Sequence, residues 1–260
     1  MGSTLQTTIR DLGRRRGRER RGLALAEGVR LVEEAMAAGV EVRGAAVSPA
    51  LEATTRGQAL KSGLAAGGVR LEEVSEAELS DLADTEQPQG IVAVIRPPVW
   101  RLEQIATPTG AVVLVLDAVQ DPGNVGTMLR TAHGLGAAGD VALKGTAELT
   151  SPKVLRGSMG AQFRLPAVPS DGEAFLAWAA ARGIELWVAA ADGAPLGPAP
   201  GPRGGRPPLA IAVGNEGAGI GRMLDAAAAR RVAIPLARAA ESLNVAVAAG
   251  ILLYEVTRGV

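Results

Sequence analysis

The stretch "AVVLVLDAVQDPGNVGTMLRTA", residues 111–132, decides the fold class of this chain. Its first nine residues are almost all apolar, which is typical of a strand buried on both faces of a parallel sheet. A loop of polar residues and glycine follows, and then a segment with helical spacing of apolar residues. Because a buried strand, a polar loop and a helix form the repeating unit of α/β proteins, the sequence predicts a parallel sheet covered by helices.

The same alternation continues on both sides of this stretch. Upstream, residues 20–96 predict a smaller α/β layer that opens with a helix over 23–40 and contains short strands. Downstream, strands are predicted at 140–145, 184–192, 209–214 and 232–236, and a helix at 243–258. We therefore predict a basic arm over 1–21, a small α/β domain over 22–96, a linker over 97–110 and a larger α/β domain over 111–260.

Composition excludes several classes of protein. The chain has no cysteine, so thiolate nucleophiles, zinc–thiolate sites and disulfides are ruled out, and its one histidine, His133, cannot form a multi-histidine metal site. No apolar run approaches the ~18 residues that a membrane-spanning helix needs. The expectation is a cytoplasmic protein without a metal. Aromatic residues are 2% of the chain, so any RNA contact would depend on arginine, backbone and shape.

Seven arginines lie between Arg10 and Arg21, against only Asp11 and Glu19. Such a cluster fits a phosphate-contacting arm, since arginine contacts to phosphates supply much of the affinity for nucleic acids. It equally fits the solvated face of a helix. The sequence fits both interpretations.

Three predicted strands end in loops rich in glycine and polar residues: "LDAVQDPGNVG", "VGNEGAGIG" and "ARAAESLN". In open α/β sheets ligands bind at the carboxyl ends of strands, so these loops predict a site. The glycines at 214–219 have the reverse of the dinucleotide spacing, and the chain contains no phosphate-binding P-loop. An NAD- or ATP-dependent α/β enzyme is therefore a remote alternative.

Three motifs carry a family resemblance. "DAVQDPGNVGTMLRTA" (117–132), "AVGNEGAGI" (212–220) and "IPLARAAESLNVAVAAGILLYE" (234–255) resemble, in order and spacing, those of the SpoU/TrmH family in the SPOUT superfamily. Its members are S-adenosylmethionine-dependent RNA ribose 2'-O-methyltransferases. "RRGLALAEGVRLVEEAM" (20–36) resembles the start of the ribosomal-protein-like RNA-binding domain that often precedes the catalytic domain. The resemblance implies a substrate-binding domain, a homodimer and a trefoil knot, which local sequence rules would never propose.

The resemblance also assigns roles to individual residues. S-adenosylmethionine is the implied cofactor, and RNA the implied substrate. The catalytic candidates are Asn124, Arg130, Glu216, Ser242 and Asn244. The cofactor-binding candidates are Gly214, Gly217, Ile234, Leu236 and Leu243.

The chemistry of methyl transfer gives these residue types a purpose. Side chains on a helix lean towards its N-terminus, so Arg130 is predicted to reach the loop at 121–124. Arginine is a reluctant base, so we expect it to position a phosphate and stabilise charge on the ribose oxygen. Asn124 is a predicted helix N-cap, and Ser242 and Asn244 the cap and first turn of the last helix.

Glu216 has two possible roles. The resemblance implies that it orients Arg130 or the ribose, whereas a carboxylate beside a helix N-terminus would also be explained by the helix dipole. The predicted function is S-adenosylmethionine-dependent methylation of a ribose 2'-hydroxyl, with 23S rRNA as the favoured substrate and tRNA as the alternative. A non-catalytic RNA-binding or ribosome assembly factor that keeps the fold is the competing hypothesis.

Overall fold

The computed structural model describes residues 5–196, 205–237 and 242–258. The chain forms two units, one from residues up to Pro98 together with Thr150–Arg164, and the other from Val99–Leu149 together with the residues from Leu165 onwards. The segment Thr150–Arg164 thus packs with the first unit, although the sequence placed it in the middle of the second domain. The chain passes between the units three times.

The first unit is built on a four-stranded sheet in the order β1-β4-β2-β3, in which β2 and β3 are parallel and the other neighbours antiparallel. One face carries a core of α3 and α4 residues, and the other face packs on α1 and α5. Its elements up to residue 96 are α1 (Leu5–Leu12), α2 (Arg15–Arg21), β1 (Ala24–Glu27), α3 (Val29–Ala37), β2 (Glu41–Val47), α4 (Thr55–Ala66), β3 (Leu71–Glu73), α5 (Glu76–Leu82) and β4 (Ile91–Arg96).

The helix predicted over 23–40 is wrong in its first part. Residues 24–27 form strand β1, which is buried throughout and pairs with β4. Gly28 follows with φ +88°, a conformation that ends the strand, and α3 begins only at Val29. Pairing with a neighbouring strand therefore overrides the helical spacing of these residues.

The predicted basic arm, residues 1–21, is not a free arm in its described residues, 5–21. Ile9 and Leu12 of α1 are fully buried in the core of the first unit. Arg18 is itself buried and donates to the carbonyl oxygen of Leu12 at 2.8 Å. Arg20 and Arg21 both pair with Asp11. Arg18, Arg20 and Arg21 therefore have partners within the first unit, while the side chains of Arg10, Arg14, Arg15, Arg16 and Arg20 are exposed.

The second unit is a six-stranded, wholly parallel sheet in the order β10-β8-β9-β5-β6-β7, which confirms the predicted α/β fold class. Between residues 112 and 257 the chain forms β5 (Val112–Asp117), α6 (Pro122–Gly134), β6 (Gly139–Leu143), α7 (Pro152–Ser158, in the first unit), β7 (Ala167–Ser170), α8 (Gly172–Ala181), β8 (Glu185–Pro195), β9 (Leu209–Gly214), α9 (Arg222–Ala227), β10 (Arg230–Ala233) and α10 (Val245–Thr257).

Two details differ from the predicted boundaries. Ile105, in the predicted linker, is fully buried in the core of the second unit. Pro235 lies beyond the end of β10, so it interrupts no strand, and β10 is an edge strand. Residues 197–204, in the proline- and glycine-rich stretch 195–208, lie outside the described part of the chain. None of the helices in the described ranges has the length and apolar character needed to cross a bilayer.

Candidate active site

The site lies where β5 and β9 end. These strands are parallel neighbours with Asp117 opposite Gly214, so the loops that follow them leave the same edge of the sheet side by side. The Asn215 side chain joins the two loops by donating to the carbonyl oxygen of Ala118 at 3.0 Å. Ala118 has φ +56°, which is unusual for a residue with a side chain and often marks a functional loop.

Residues 215–219 form a tight turn organised by Asn215. Its Oδ1 accepts the backbone N–H groups of Gly217 and Ala218 at 3.0 and 2.9 Å. The backbones of Asn215 and Gly219 exchange two further hydrogen bonds. Gly214 is required here, because a Cβ on it would lie 2.3 Å from the backbone of Gly219. The turn therefore folds directly against the end of β9.

Helix α6 begins with a different cap from the one predicted. Asp121 is the N-cap, and its Oδ1 accepts the backbone N–H of Asn124 at 2.7 Å. Pro122 occupies the first helical position, where its missing N–H costs nothing. The prediction of Asn124 as the cap is therefore wrong by one turn. This difference leaves the Asn124 carboxamide free for other partners.

A chain of hydrogen bonds joins the three motifs. The Nδ2 of Asn124 donates to Oε1 of Glu216 at 3.2 Å, across 92 residues of sequence. The Nδ2 of Asn244 donates to Oδ1 of Asn124 at 3.0 Å, across 120 residues. We call Glu216, Asn124 and Asn244 the amide–carboxylate chain. Its geometry brings together three of the five predicted catalytic residues.

The surroundings of Glu216 favour its ionised form. Partial burial is the largest influence and acts to raise the pKa of this carboxyl group. Hydrogen bonds from its own backbone N–H, from Asn124 and from the N–H groups of Gln120 and Asp121 act in the opposite direction, and together they lower the pKa below its usual value. Glu216 is therefore a carboxylate at neutral pH.

Asn244 caps the last helix. Its Oδ1 accepts the backbone N–H groups of Ala246 and Val247, so α10 begins one residue later, at Val245. Ser242 was predicted as the cap, but it lies two residues before the cap and is exposed. Glu241, quoted in the motif, lies outside the described residues. The side chain of Asn244 thus both caps α10 and binds Asn124.

Arg130 stands on the exposed side of α6. It makes no hydrogen bond or ion pair with any residue in the described ranges, so the predicted reach to the loop at 121–124 is not seen as a contact. Neighbouring hydroxyl groups do not compete for it, since Thr127 and Thr131 donate to carbonyl oxygens of their own helix. The guanidinium group is therefore available to a ligand.

The cofactor candidates provide an apolar surface and backbone groups. Gly214 and Gly217 belong to the 215–219 turn and its base. Ile234 is half-buried directly after β10, where the chain has no regular structure, and Leu236 and Leu243 are 39% and 37% exposed. Exposed leucines beside irregular backbone suit an adenosine group, which has an apolar ring face and a polar edge. The residues present therefore fit S-adenosylmethionine.

Two residues of the site were missed. Asn215 builds the turn, and Asp117 accepts the N–H of Gly221 at 2.7 Å, just before α9. A usable signal existed, because asparagine and aspartate at strand ends commonly bond to the backbone of the following turn. Within the described ranges, no group of three or more histidine, cysteine, aspartate or glutamate residues is placed to hold a metal ion.

Comparison with known proteins agrees with this geometry. Residues 111–254 match the model of the SpoU rRNA Methylase family, and residues 7–93 match the MRM3-like substrate binding domain. The chain is 39% identical to the 23S rRNA (guanosine(2553)-2'-O)-methyltransferase of Bacillus subtilis, over 72% of each chain. It is 32% identical to the 23S rRNA (uridine(2479)-2'-O)-methyltransferase of Streptomyces viridochromogenes, over 95% of this chain and 86% of that one.

A solved structure shows the same fold over nearly the whole chain. It is that of an AdoMet-bound rRNA methyltransferase from Sinorhizobium meliloti, with a TM-score of 0.84, 29% sequence identity, and coverage of 99% of this chain and 97% of that one. The three motifs, the parallel sheet and the amide–carboxylate chain fall within the matched region. The chain therefore belongs to the SpoU rRNA Methylase family.

Proposed function

We propose that this protein transfers a methyl group from S-adenosylmethionine to a ribose 2'-hydroxyl of 23S rRNA. The observation that carries the proposal is the amide–carboxylate chain, which joins residues from three distant motifs at one edge of the sheet. Relatives named as 23S rRNA 2'-O-methyltransferases support the substrate. The proposal makes tRNA methylation the alternative outcome of the test.

The residues of the site would divide the work as follows. When bound, S-adenosylmethionine supplies a methyl group on a positively charged sulfur, and Gly214, Gly217 and the apolar residues Ile234, Leu236 and Leu243 would hold it. Glu216, ionised at neutral pH, would accept a hydrogen bond from the ribose hydroxyl. Asn124 would hold that carboxylate in place through its Nδ2. Preorganised contacts of this kind lower the barrier without further reorganisation.

Arg130 would act on the nucleic acid rather than as a base. Its exposed guanidinium is free of protein partners among the described residues and carries a permanent charge. It would bind a phosphate next to the target nucleotide and stabilise negative charge on the 2'-oxygen as the proton of that hydroxyl passes to the Glu216 carboxylate, which accepts its hydrogen bond. Ser242, exposed just before α10, would contact the same substrate.

The first test follows label from S-adenosylmethionine into deproteinised 23S rRNA and into bulk tRNA. Arg130→Ala should lower methyl transfer by at least about 100-fold, the scale of losing one key charge-stabilising group. The affinity for S-adenosylmethionine, measured by calorimetry, should be unchanged. Arg70→Ala, an exposed arginine of the first unit, is the control. Transfer by Arg130→Ala at the wild-type rate would contradict the assigned role.

The proposal extends to assembly and location. Val247, Ile251 and Tyr254 are exposed apolar residues at helical spacing on α10, which supports a homodimer through this helix. The packing of α10 against α6, β9 and β5 fits a knotted C-terminal segment. An enzyme acting on 23S rRNA would work in the cytoplasm, where bacterial ribosomes are made.

A further inference from the structure

A cavity of about 290 Å³ opens in the first unit, between the end of β1, the start of α3, the loop at 85–89 and helix α7. Its size lies at the lower end of the ~300–1,000 Å³ of small-molecule sites, which is room for one flat ring system. The cavity is composite. Most of it lies in the part matched to a substrate binding domain, whereas Arg156 and Met159 come from the methylase part of the chain.

Two of the charged residues that line the cavity, Glu27 and Arg156, already have partners of opposite charge. Glu27 is buried, and its carboxylate accepts Nη1 of Arg156 at 2.9 Å and the backbone N–H of Asp84 at 2.8 Å. Arg156 also donates to Oδ2 of Asp84 at 2.6 Å. Two carboxylates thus hold one guanidinium, so these groups fix α7 in place and leave no spare positive charge for a phosphate deep in the cavity.

The groups that remain available are amides and one rim arginine. Gln87 makes no hydrogen bond with the described residues, so both ends of its amide are free. Gln89 uses Oε1 to accept the N–H of Val29 at 3.3 Å, which leaves its NH₂ free. Arg30 is exposed and makes no ion pair within the described ranges. Neutral donors and acceptors therefore face the cavity, with a free cation at its edge.

Met159 lines the cavity in a conformation that side chains usually avoid. It has φ +51° and ψ +35° at the end of α7, a position where helices commonly carry glycine. In the described part of the chain, Ala118 in the active-site loop is the one other non-glycine residue with positive φ. Strained backbone of this kind concentrates at functional sites, and Met159 is one of the residues that line this cavity.

The chemistry of these groups selects a ligand class. A nucleobase has a flat face and a hydrogen-bonding edge, and unstacked bases are what proteins read in single-stranded RNA. The first unit has one aromatic residue among its described residues, Phe163, and it is buried. Met159 and buried Leu31 would therefore supply the apolar contact, since thioethers pack well on aromatic rings. The free amides would meet the edge of the base.

We propose that this cavity binds one unstacked base of the RNA substrate, with Arg30 on the adjoining phosphate. The proposal rests on the proposed function, because it takes RNA to be the substrate. It makes Met159 and Gln87 positioning residues that act far along the sequence from the amide–carboxylate chain. The methylase part of the chain thereby completes the recognition site of the substrate-binding part.

The test uses the full chain, deproteinised 23S rRNA and two substitutions. Gln87→Ala and Met159→Gly should each raise Kd for the rRNA, and KM in methyl transfer, about three- to tenfold, with kcat within about twofold. Affinity for S-adenosylmethionine should not change. Glycine accepts the left-handed backbone, so Met159→Gly should keep or raise the Tm while it weakens RNA binding. A merely structural methionine would not show this combination.

Matched controls separate the cavity from general effects. Gln58→Ala removes an exposed glutamine of α4, and Arg70→Ala removes an exposed arginine of the first unit, and neither residue lines the cavity. The proposal would be overturned if both cavity variants bound rRNA with the wild-type Kd, or if cavity and control variants raised that Kd equally. Neither result would contradict the proposed methyltransferase activity. Absence of methyl transfer by the wild-type protein would instead overturn the proposed function, and binding measured without cofactor would still test the cavity.

Discussion

Asparagine is concentrated at the site, since the chain has three asparagines and all three lie there: Asn124, Asn215 and Asn244. A carboxamide can donate through its nitrogen and accept through its oxygen at once, whereas a carboxylate at neutral pH can only accept. Asn124 uses both functions, donating to Glu216 and accepting from Asn244. A count of this residue type would have drawn attention to Asn215, which motif comparison passed over.

Asn124→Asp replaces the side-chain nitrogen with an oxygen, so the residue should lose its donor and keep only acceptors. The new carboxylate cannot donate to Glu216, and two negative groups would stand about 3 Å apart, so we expect at least a tenfold fall in kcat at pH 8. Activity relative to wild type should recover as the pH falls towards 6, because one shared proton restores the hydrogen bond. Single-turnover methyl transfer measures this. Gln58→Glu is the control, and an equal deficit at both pH values would contradict the explanation.

Asp140 of β6 should make the stability of the protein depend on pH. It is fully buried, neither carboxyl oxygen has a hydrogen-bond partner among the described residues, and burial raises its pKa well above the usual value. The stability linked to a raised carboxyl pKa is fully present below the unfolded value of ~3.9 and is lost as the pH rises through the raised folded value. Asp140→Asn should therefore leave the Tm unchanged near pH 4 and raise it by roughly 3 °C or more at pH 7.

Thermal unfolding across this pH range checks the Asp140 prediction. Asp81→Asn on the exposed side of α5 should show no such divergence from wild type. A Tm difference between Asp140→Asn and wild type that is the same at pH 4 and pH 7 would mean that Asp140 does not titrate as its burial implies.

At the scale of elements, the 215–219 turn depends on the absence of a side chain at Gly214. A Cβ there would lie 2.3 Å from Gly219 and 2.5 Å from Ile220 backbone atoms, so Gly214→Ala must push the turn away from β9. We expect loss of cofactor binding by calorimetry and a Tm lowered by several degrees, roughly 1–3 kcal/mol of strain. Gly205→Ala, which meets no atom within 4 Å, is the control. Normal binding by Gly214→Ala would show that the turn can move freely.

Sequence patterns predicted some elements well and others poorly, for physical reasons. The strands of the parallel sheet are apolar on both faces and bounded by polar loops, so their identity was clear. β1 was missed because its four residues continue the helical spacing of α3, and only pairing with β4 makes them a strand. The cap of α6 was misplaced because Asp121 and Asn124 are both good caps, and only Pro122 at the first helical position distinguishes them.

The site itself was predicted through its motifs rather than through geometry. Nothing in the local sequence states that Asn124, Glu216 and Asn244 meet, since 92 and 120 residues separate them. The strand order that brings β5 beside β9 is a property of the whole sheet. Arg130 was predicted to reach back along its helix. Because its exposed side chain has no hydrogen bond or ion pair with the described residues, no protein contact fixes its direction.

At the scale of the whole molecule, α10 presents an apolar stripe of Val247, Ile251 and Tyr254 that are 51%, 38% and 53% exposed. If two copies bury this stripe, light scattering at micromolar concentration should give twice the chain mass for wild type. Ile251→Arg should then shift the protein to the monomer, because a charge would be buried in the interface. Val99→Arg at an isolated exposed position is the control. A monomeric wild type would exclude the dimer.

The path of residues 150–164 limits how the gene can be rearranged. This segment departs from between β6 and β7, completes the apolar interior around Leu155 and Phe163 in the first unit, and returns. If residues 99–260 were joined to an unrelated first domain, the apolar side chains of residues 150–164 would lose the core of the first unit that buries them. Recombination between distant relatives should therefore succeed only when both pieces, 1–98 and 150–164, are inherited from one parent.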